Sequence, residues 1–130
     1  MLEVPLQVSH MDLCPLYEDC AFLEAWPGVP VGNEEGEIIT AALGDKRAIL
    51  LSHHGQLSTG ASIEEACVIA QLIERAAKLQ LLAMSAGTIK PILPELGREA
   101  HDWISKPKRH GAAFNYYARQ NLRKHADCLN

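Results

Sequence analysis

Residues 49–60 read ILLSHHGQLSTG, and the adjacent imidazoles of His53 and His54 are the residues best suited to chemistry in this chain. A neutral imidazole is the commonest side-chain metal ligand, and its ordinary pKa lies close to neutrality. The aliphatic run Ile49-Leu50-Leu51 predicts a buried strand that delivers both histidines to its end, where a rigid sheet holds a ligand still and leaves it open to solvent. The following Gly55 predicts a sharp backbone turn with room beside the imidazole. Without further context, two histidines at a strand end are more often exposed or satisfied in a core than they are ligands. No H-x-H, H-E-x-x-H or C-x-x-C stands elsewhere in the chain to complete a metal site.

Other reactive residue types read more simply. His10 and Asp12 have the spacing of a ligand pair. His101 and Asp102 share a predicted helix with Trp103, which suits packing plus exposed polar groups. Lys106, Lys108, Arg109, Arg119, Arg123 and Lys124 supply half of the 12 basic residues, with Phe114, Tyr116 and Tyr117 interleaved among them. That mixture resembles a nucleic-acid surface. However, Phe114, Tyr117 and Ala118 fall on one helical face and Arg119 and Arg123 on another, as in an amphipathic helix docked on a neighbour. The four cysteines, Cys14, Cys20, Cys67 and Cys128, have no paired spacing and read as reduced and structural.

The elements that must position these groups alternate along the chain. Residues 4–9 suit an extended segment interrupted by Pro5, and 19–23 a short buried strand. Trp26, Pro27, Gly28 and Pro30 then mark a loop. Asn33 is a candidate N-cap for a helix whose first turn is acidic and whose apolar positions are Ile38, Ile39, Ala42 and Leu43, with Gly44 as its stop. Ala48 to Ser52 predicts a central strand, and Leu57 to Thr59 another that ends at Gly60. Ser62 and Glu65 have the capping-box spacing and open a helix carrying Ala66, Ile69, Ala70, Ile73, Ala76 and Ala77 on one stripe. Glu74 and Lys78 support it at i, i+4, and Gly87 closes it. Pro94 suits the first position of a helix reaching about Ile104, and Pro107 with Gly111 separates it from a last helix, Ala112 to about His125.

This order predicts an α/β fold. Its three or four short strands are few for a self-sufficient sheet, as in the second half of a larger unit. At 130 residues, 48% hydrophobic and 22% charged, the chain is long enough for one packed domain. Its net charge of −4 disfavours a nucleic-acid partner, and no apolar run is long enough to span a membrane. The opening residues MLEVPLQVSH lack the basic flank and apolar core of a signal peptide, so we expect a cytoplasmic protein.

The ordered block from Leu43 to Ala83 resembles the class II aldolase/adducin family. There an apolar strand ends in N-H-G or H-H-G, and a second strand, a glycine and an S-x-E-E-A helix start follow, with E-R-A-A further along the helix. Here these pieces are His53-His54-Gly55, Gly60, Ser62 to Ala66, and Glu74 to Ala77. The resemblance implies a three-layer α/β/α sandwich, tetrameric assembly with active sites at subunit boundaries, and a divalent metal, most often zinc with manganese as an alternative, held by three histidines. It implies His54 as one of those ligands and leaves His53 in the variable position before it; no catalytic residue is assigned. The implied chemistry is reversible aldol cleavage of a small carbonyl compound through an enediolate. The other two ligands come from an H-x-H that this chain lacks, and Met1 aligns just beyond it. The expectation is therefore the C-terminal half of the domain over residues 1–87 with a helical tail over 88–130. A homo-oligomer, or a chain supplying the N-terminal half, would complete the site. A non-catalytic adducin-like assembly module is the alternative from another class, and a decarboxylase or epimerase on the same scaffold a third reading.

Overall fold

The computed structural model describes residues 3–25, 28–29 and 32–129. Trp26, Pro27 and Pro30 lie outside the described residues. Three strands, β1 (Cys20–Leu23), β2 (Ala48–Leu51) and β3 (Gly55–Ser58), form one mixed sheet in that order. β1 runs parallel to β2 with Cys20 opposite Ala48, and β3 returns antiparallel with Gly55 opposite Leu51.

Alternation along the strands divides the core into two. Ala21, Ile49 and Leu51 face helix α1 (Glu34–Leu43), which covers them with Ile39, Ala42 and Leu43. Ala48 and Leu50 face the other way, onto Ile69, Ile73 and Ala76 of the long helix α2 (Ile63–Ala86). Helix, sheet and helix therefore stack as three layers, the arrangement expected for this α/β fold. Ile38 is turned outward from the α1 stripe.

Local rules explain most element ends. The Ser62 hydroxyl accepts from the Glu65 N–H at 3.3 Å, and the Glu65 carboxylate reaches back to the Ala61 N–H at 2.7 Å. Asn33 holds the residue before α1, but in near-helical backbone and with no capping bond from its side chain. A short 3-10 helix, Met11–Leu16, follows the extended segment at the amino end, and its buried Leu13, Cys14 and Leu16 join the α2-side core. Among the described residues, the segment before it pairs with no strand. Gln80 of α2 clamps it instead, accepting from the Gln7 N–H at 2.7 Å and donating to the Pro5 carbonyl at 3.0 Å.

Helix α3 (Pro94–Ile104) packs on the 3-10 helix, and α4 (Pro107–Lys124) packs along α2. The last helix thus begins at Pro107 and not at Ala112, and Gly111 lies inside it. Proline suits the first helical position, where its missing N–H is not needed, and one interior glycine weakens a packed helix by only about 1 kcal/mol.

Candidate functional site

Ser52, His53 and His54 make the turn between β2 and β3. The His54 N–H donates to the Leu51 carbonyl at 3.2 Å, closing a four-residue turn. His53 stands third in it with φ of 58°. Turns of this kind require a left-handed residue at that place, and histidine and asparagine are among the few non-glycine residues that accept it. The turning role expected of Gly55 therefore belongs to His53. Gly55 is already in β3, its φ is not left-handed, and a Cβ there would meet no atom within 4 Å.

The turn sits beyond the carboxyl end of β2, the end at which open α/β sheets bind ligands. His54 is 50% exposed, and its Nε2 lies 3.7 Å from Glu35 Oε1 in the first turn of α1. The Glu35 side chain is only 18% exposed and lies at the helix terminus whose dipole favours a carboxylate. His53 points elsewhere, its Nε2 2.7 Å from Glu3 Oε1. The turn thus presents two half-exposed imidazoles, each with one carboxylate beside it, Glu3 for His53 and Glu35 for His54. Among the described residues, no three His, Cys, Asp or Glu side chains converge to hold a metal ion. His54 fits the part of a single ligand, whereas the described donor set falls short of a chelate.

His10 is not part of this turn. Its Nδ1 accepts from the Asp12 N–H at 3.2 Å and caps the 3-10 helix. His101 belongs to a polar knot at the opposite end of the parallel strands. Arg47, just before β2, donates to Asp19, just before β1, to Glu65 at 2.8 Å, and to Ser105 at 3.2 Å. His101 Nε2 lies 3.1 Å from the same guanidinium and 3.3 Å from Asp19. His110 of α4 completes the knot, Nδ1 3.2 Å from Glu65 Oε1 but out of line for a hydrogen bond. Burial pulls the Glu65 carboxyl upward, but the Ala61 N–H and the Arg47 guanidinium outweigh it and hold the group below its ordinary range. Burial also drives the His110 imidazole below its usual value. Such a largely buried cluster ties β1, β2, α2, α3 and α4 together. Its members are consumed by one another.

The sequence reading missed this knot. A signal was present in the parallel register, since pairing Cys20 with Ala48 sets Asp19 beside Arg47. Trp103 is likewise not a packing residue, being 59% exposed with Lys106 and Arg109 over its ring at 4.7 and 4.9 Å. Among the described residues Cys14, Cys20 and Cys67 are free thiols. Burial, and then the Asp19 charge, push the Cys20 thiol up to about 11, which suits a structural thiol.

The chain belongs to the class II aldolase and adducin family: residues 5–81, more than half of its length, match the class II aldolase and adducin N-terminal domain. Its fold superposes on L-fuculose 1-phosphate aldolase from Glaciozyma antarctica with a TM-score of 0.83 and 26% identity, covering 97% of this chain and 47% of that one. It is 32% identical over 87 residues to the 4-hydroxy-3-prenylphenylpyruvate oxygenase/4-hydroxy-3-prenylbenzoate synthase of Streptomyces roseochromogenus, and 31% identical over 87 residues to decarboxylase NovR of Streptomyces niveus. Both alignments cover 67% of this chain, which spans 31% and 32% of the length of these curated relatives. No described helix is long and apolar enough to cross a membrane.

Proposed function

We propose that this chain carries the His54 side of a class II aldolase-type active site, whose reaction is the reversible cleavage of a carbon–carbon bond in a small carbonyl compound. The observation that carries the reading is the placement of His54, half exposed at the carboxyl end of β2 on a turn pinned by the hairpin, inside the segment that matches the family. A divalent metal bound there, zinc before manganese, would supply Lewis-acid polarisation of the carbonyl oxygen. His54 would donate its Nε2, and Glu35 would lie within reach of a proton or a bound water at the same place. The remaining ligands come from a second copy or another chain. In this reading residues 1–87 form the site-bearing half of a cytoplasmic protein and 88–130 a tail packed on it.

A second reading is an assembly module without catalysis, favoured because no three ligating side chains converge among the described residues. Decarboxylation on the same scaffold is supported by the likeness to a decarboxylase. Metal content measured on tag-free protein, beside His54→Ala, separates the readings. Near-stoichiometric zinc or manganese that disappears in the variant supports the aldolase-type site, and cleavage assays on sugar phosphates and decarboxylation assays on keto acids then divide the two chemistries. Protein that holds no metal in either form defeats the catalytic reading for the chain by itself.

A further inference from the structure

His110 is the one buried residue of α4, 3% exposed, and neither ring nitrogen has a hydrogen-bond partner among the described residues. A neutral imidazole has one N–H and one free nitrogen, so both stand unsatisfied in the interior. Protonation makes both nitrogens donors and adds a charge, and the neighbouring groups do not compensate it in place. Glu65 of α2 lies 3.2 Å from Nδ1, but its Oε1 already accepts from Arg47 at 2.8 Å and its Oε2 from the Ala61 N–H at 2.7 Å. Arg47, just before β2, opposes a second positive charge beside the ring. Beyond it stand Asp19, before β1, and His101 of α3, both held by the same guanidinium. On its own helix His110 has the exposed cations Lys108 and Arg109, with Lys106 before them, while His125 and Asp127 follow the far end of α4.

α4 can move without opening the core. Among the described residues neither core cluster includes any part of it. Its inner face, Ala113, Phe114, Tyr117 and Ala118, is only half-buried, and 119–124 is exposed throughout. Ser105 and Lys106 form a non-helical joint with α3, and Ser105 is itself held by Arg47 at 3.2 Å. A segment attached in this way opens at lower free energy than the core. We infer that α4 is an acid-released arm: uptake of a proton by His110 frees it from α2 while the sheet and α2 stay folded. Water solvates the imidazolium in the released form, which the closed form does not allow. The device lies at the end of the strands opposite the His54 turn and does not depend on it.

A histidine of ordinary pKa in the released form, kept neutral in the closed one, shifts the balance about tenfold towards release between pH 7.5 and 5.5. The test is amide hydrogen exchange of the full chain at those two pH values, corrected for the intrinsic rate at each, on the natural protein and on His110→Gln. The expected result is protection across 111–124 about tenfold lower at pH 5.5 in the natural protein and unchanged by pH in His110→Gln. At pH 5.5 these amides should also be at least about tenfold less protected than those of β2 and of 68–76 in α2. Equal protection of α4 and β2 at pH 5.5 overturns the proposal, because release would then require global unfolding. So does protection of α4 that ignores pH, or the same loss in His110→Gln. The first two comparisons are made within the natural protein, so they decide the matter even where His110→Gln does not fold.

Discussion

His110 Nδ1 lies 3.2 Å from Glu65 Oε1, with the imidazole side chain 4% exposed. A carboxylate beside an imidazole ordinarily favours protonation, but here burial outweighs it, with the neighbouring Arg47 charge acting in the same sense as burial. The folded chain therefore keeps His110 neutral where the unfolded chain would begin to take up a proton, below about pH 6.5. More protons on the unfolded state means stability that rises with pH. Stability should accordingly fall as the pH is lowered from 7.5 to 5.5, and the depressed Glu65 carboxyl adds a further loss in the more acid range. Urea midpoints at the two pH values check this, beside His110→Gln, which should flatten the dependence. Equal slopes in both proteins would show that His110 is not the group responsible.

Arg47 is the only cation touching both Asp19 and Glu65 among the described residues, and all three side chains are largely buried. Arg47→Met should strand two carboxylates in the interior and destabilise the chain by about 3 kcal/mol. Glu65→Gln in the same background should recover part of that, because it removes one stranded charge. Denaturant unfolding of the two singles and the double measures the coupling. A loss from Arg47→Met no larger than that of an ordinary surface change would mean that water reaches the knot.

The elements were far more legible in the sequence than this knot. Helix limits followed from Ser62, Gly87 and Pro94, and the central strand from its aliphatic run, because capping and side-chain period act over a few residues. Asp19 and Arg47 are 28 positions apart and meet only through the parallel register, which no local pattern states. Ser52, whose Oγ has no hydrogen-bond partner among the described residues, was equally hidden, since its environment depends on which face α2 covers. His54 drew attention by its place after an aliphatic run and by the His53-His54-Gly55 motif, and Glu35 joins it only because α1 folds back over the sheet.

Glycine shows the same limit. Gly55 looked like the residue that turns the chain, but it is Gly60 that lacks space: a Cβ there would lie 2.8 Å from the Glu65 Cβ and 2.9 Å from the Ala66 nitrogen. Gly60→Ala should push the β3 exit away from the first turn of α2 and destabilise by about 1–3 kcal/mol. Gly55→Ala should change stability much less. Thermal unfolding of the two variants decides the matter, and an equal effect would contradict the close approach at Gly60.

The last prediction concerns the division of labour between the two histidines. His53 occupies a left-handed backbone site, and its ion pair with Glu3 joins two exposed side chains, which contributes little. His53→Asn should therefore be nearly neutral in stability, whereas His53→Val should lose about 2 kcal/mol or more, since a β-branched residue tolerates that backbone poorly. His54 makes its conserving contact through the backbone N–H to Leu51, which any residue but proline supplies. Its half-exposed ring is not needed for packing, so His54→Ala should unfold within about 0.5 kcal/mol of the natural chain. Unfolding curves for the three variants test the assignment of backbone work to His53 and chemistry to His54. If His54→Ala is the destabilised one and His53→Val is not, the imidazole of His54 is a structural group, and its fitness as a ligand would have to be argued again from other residues.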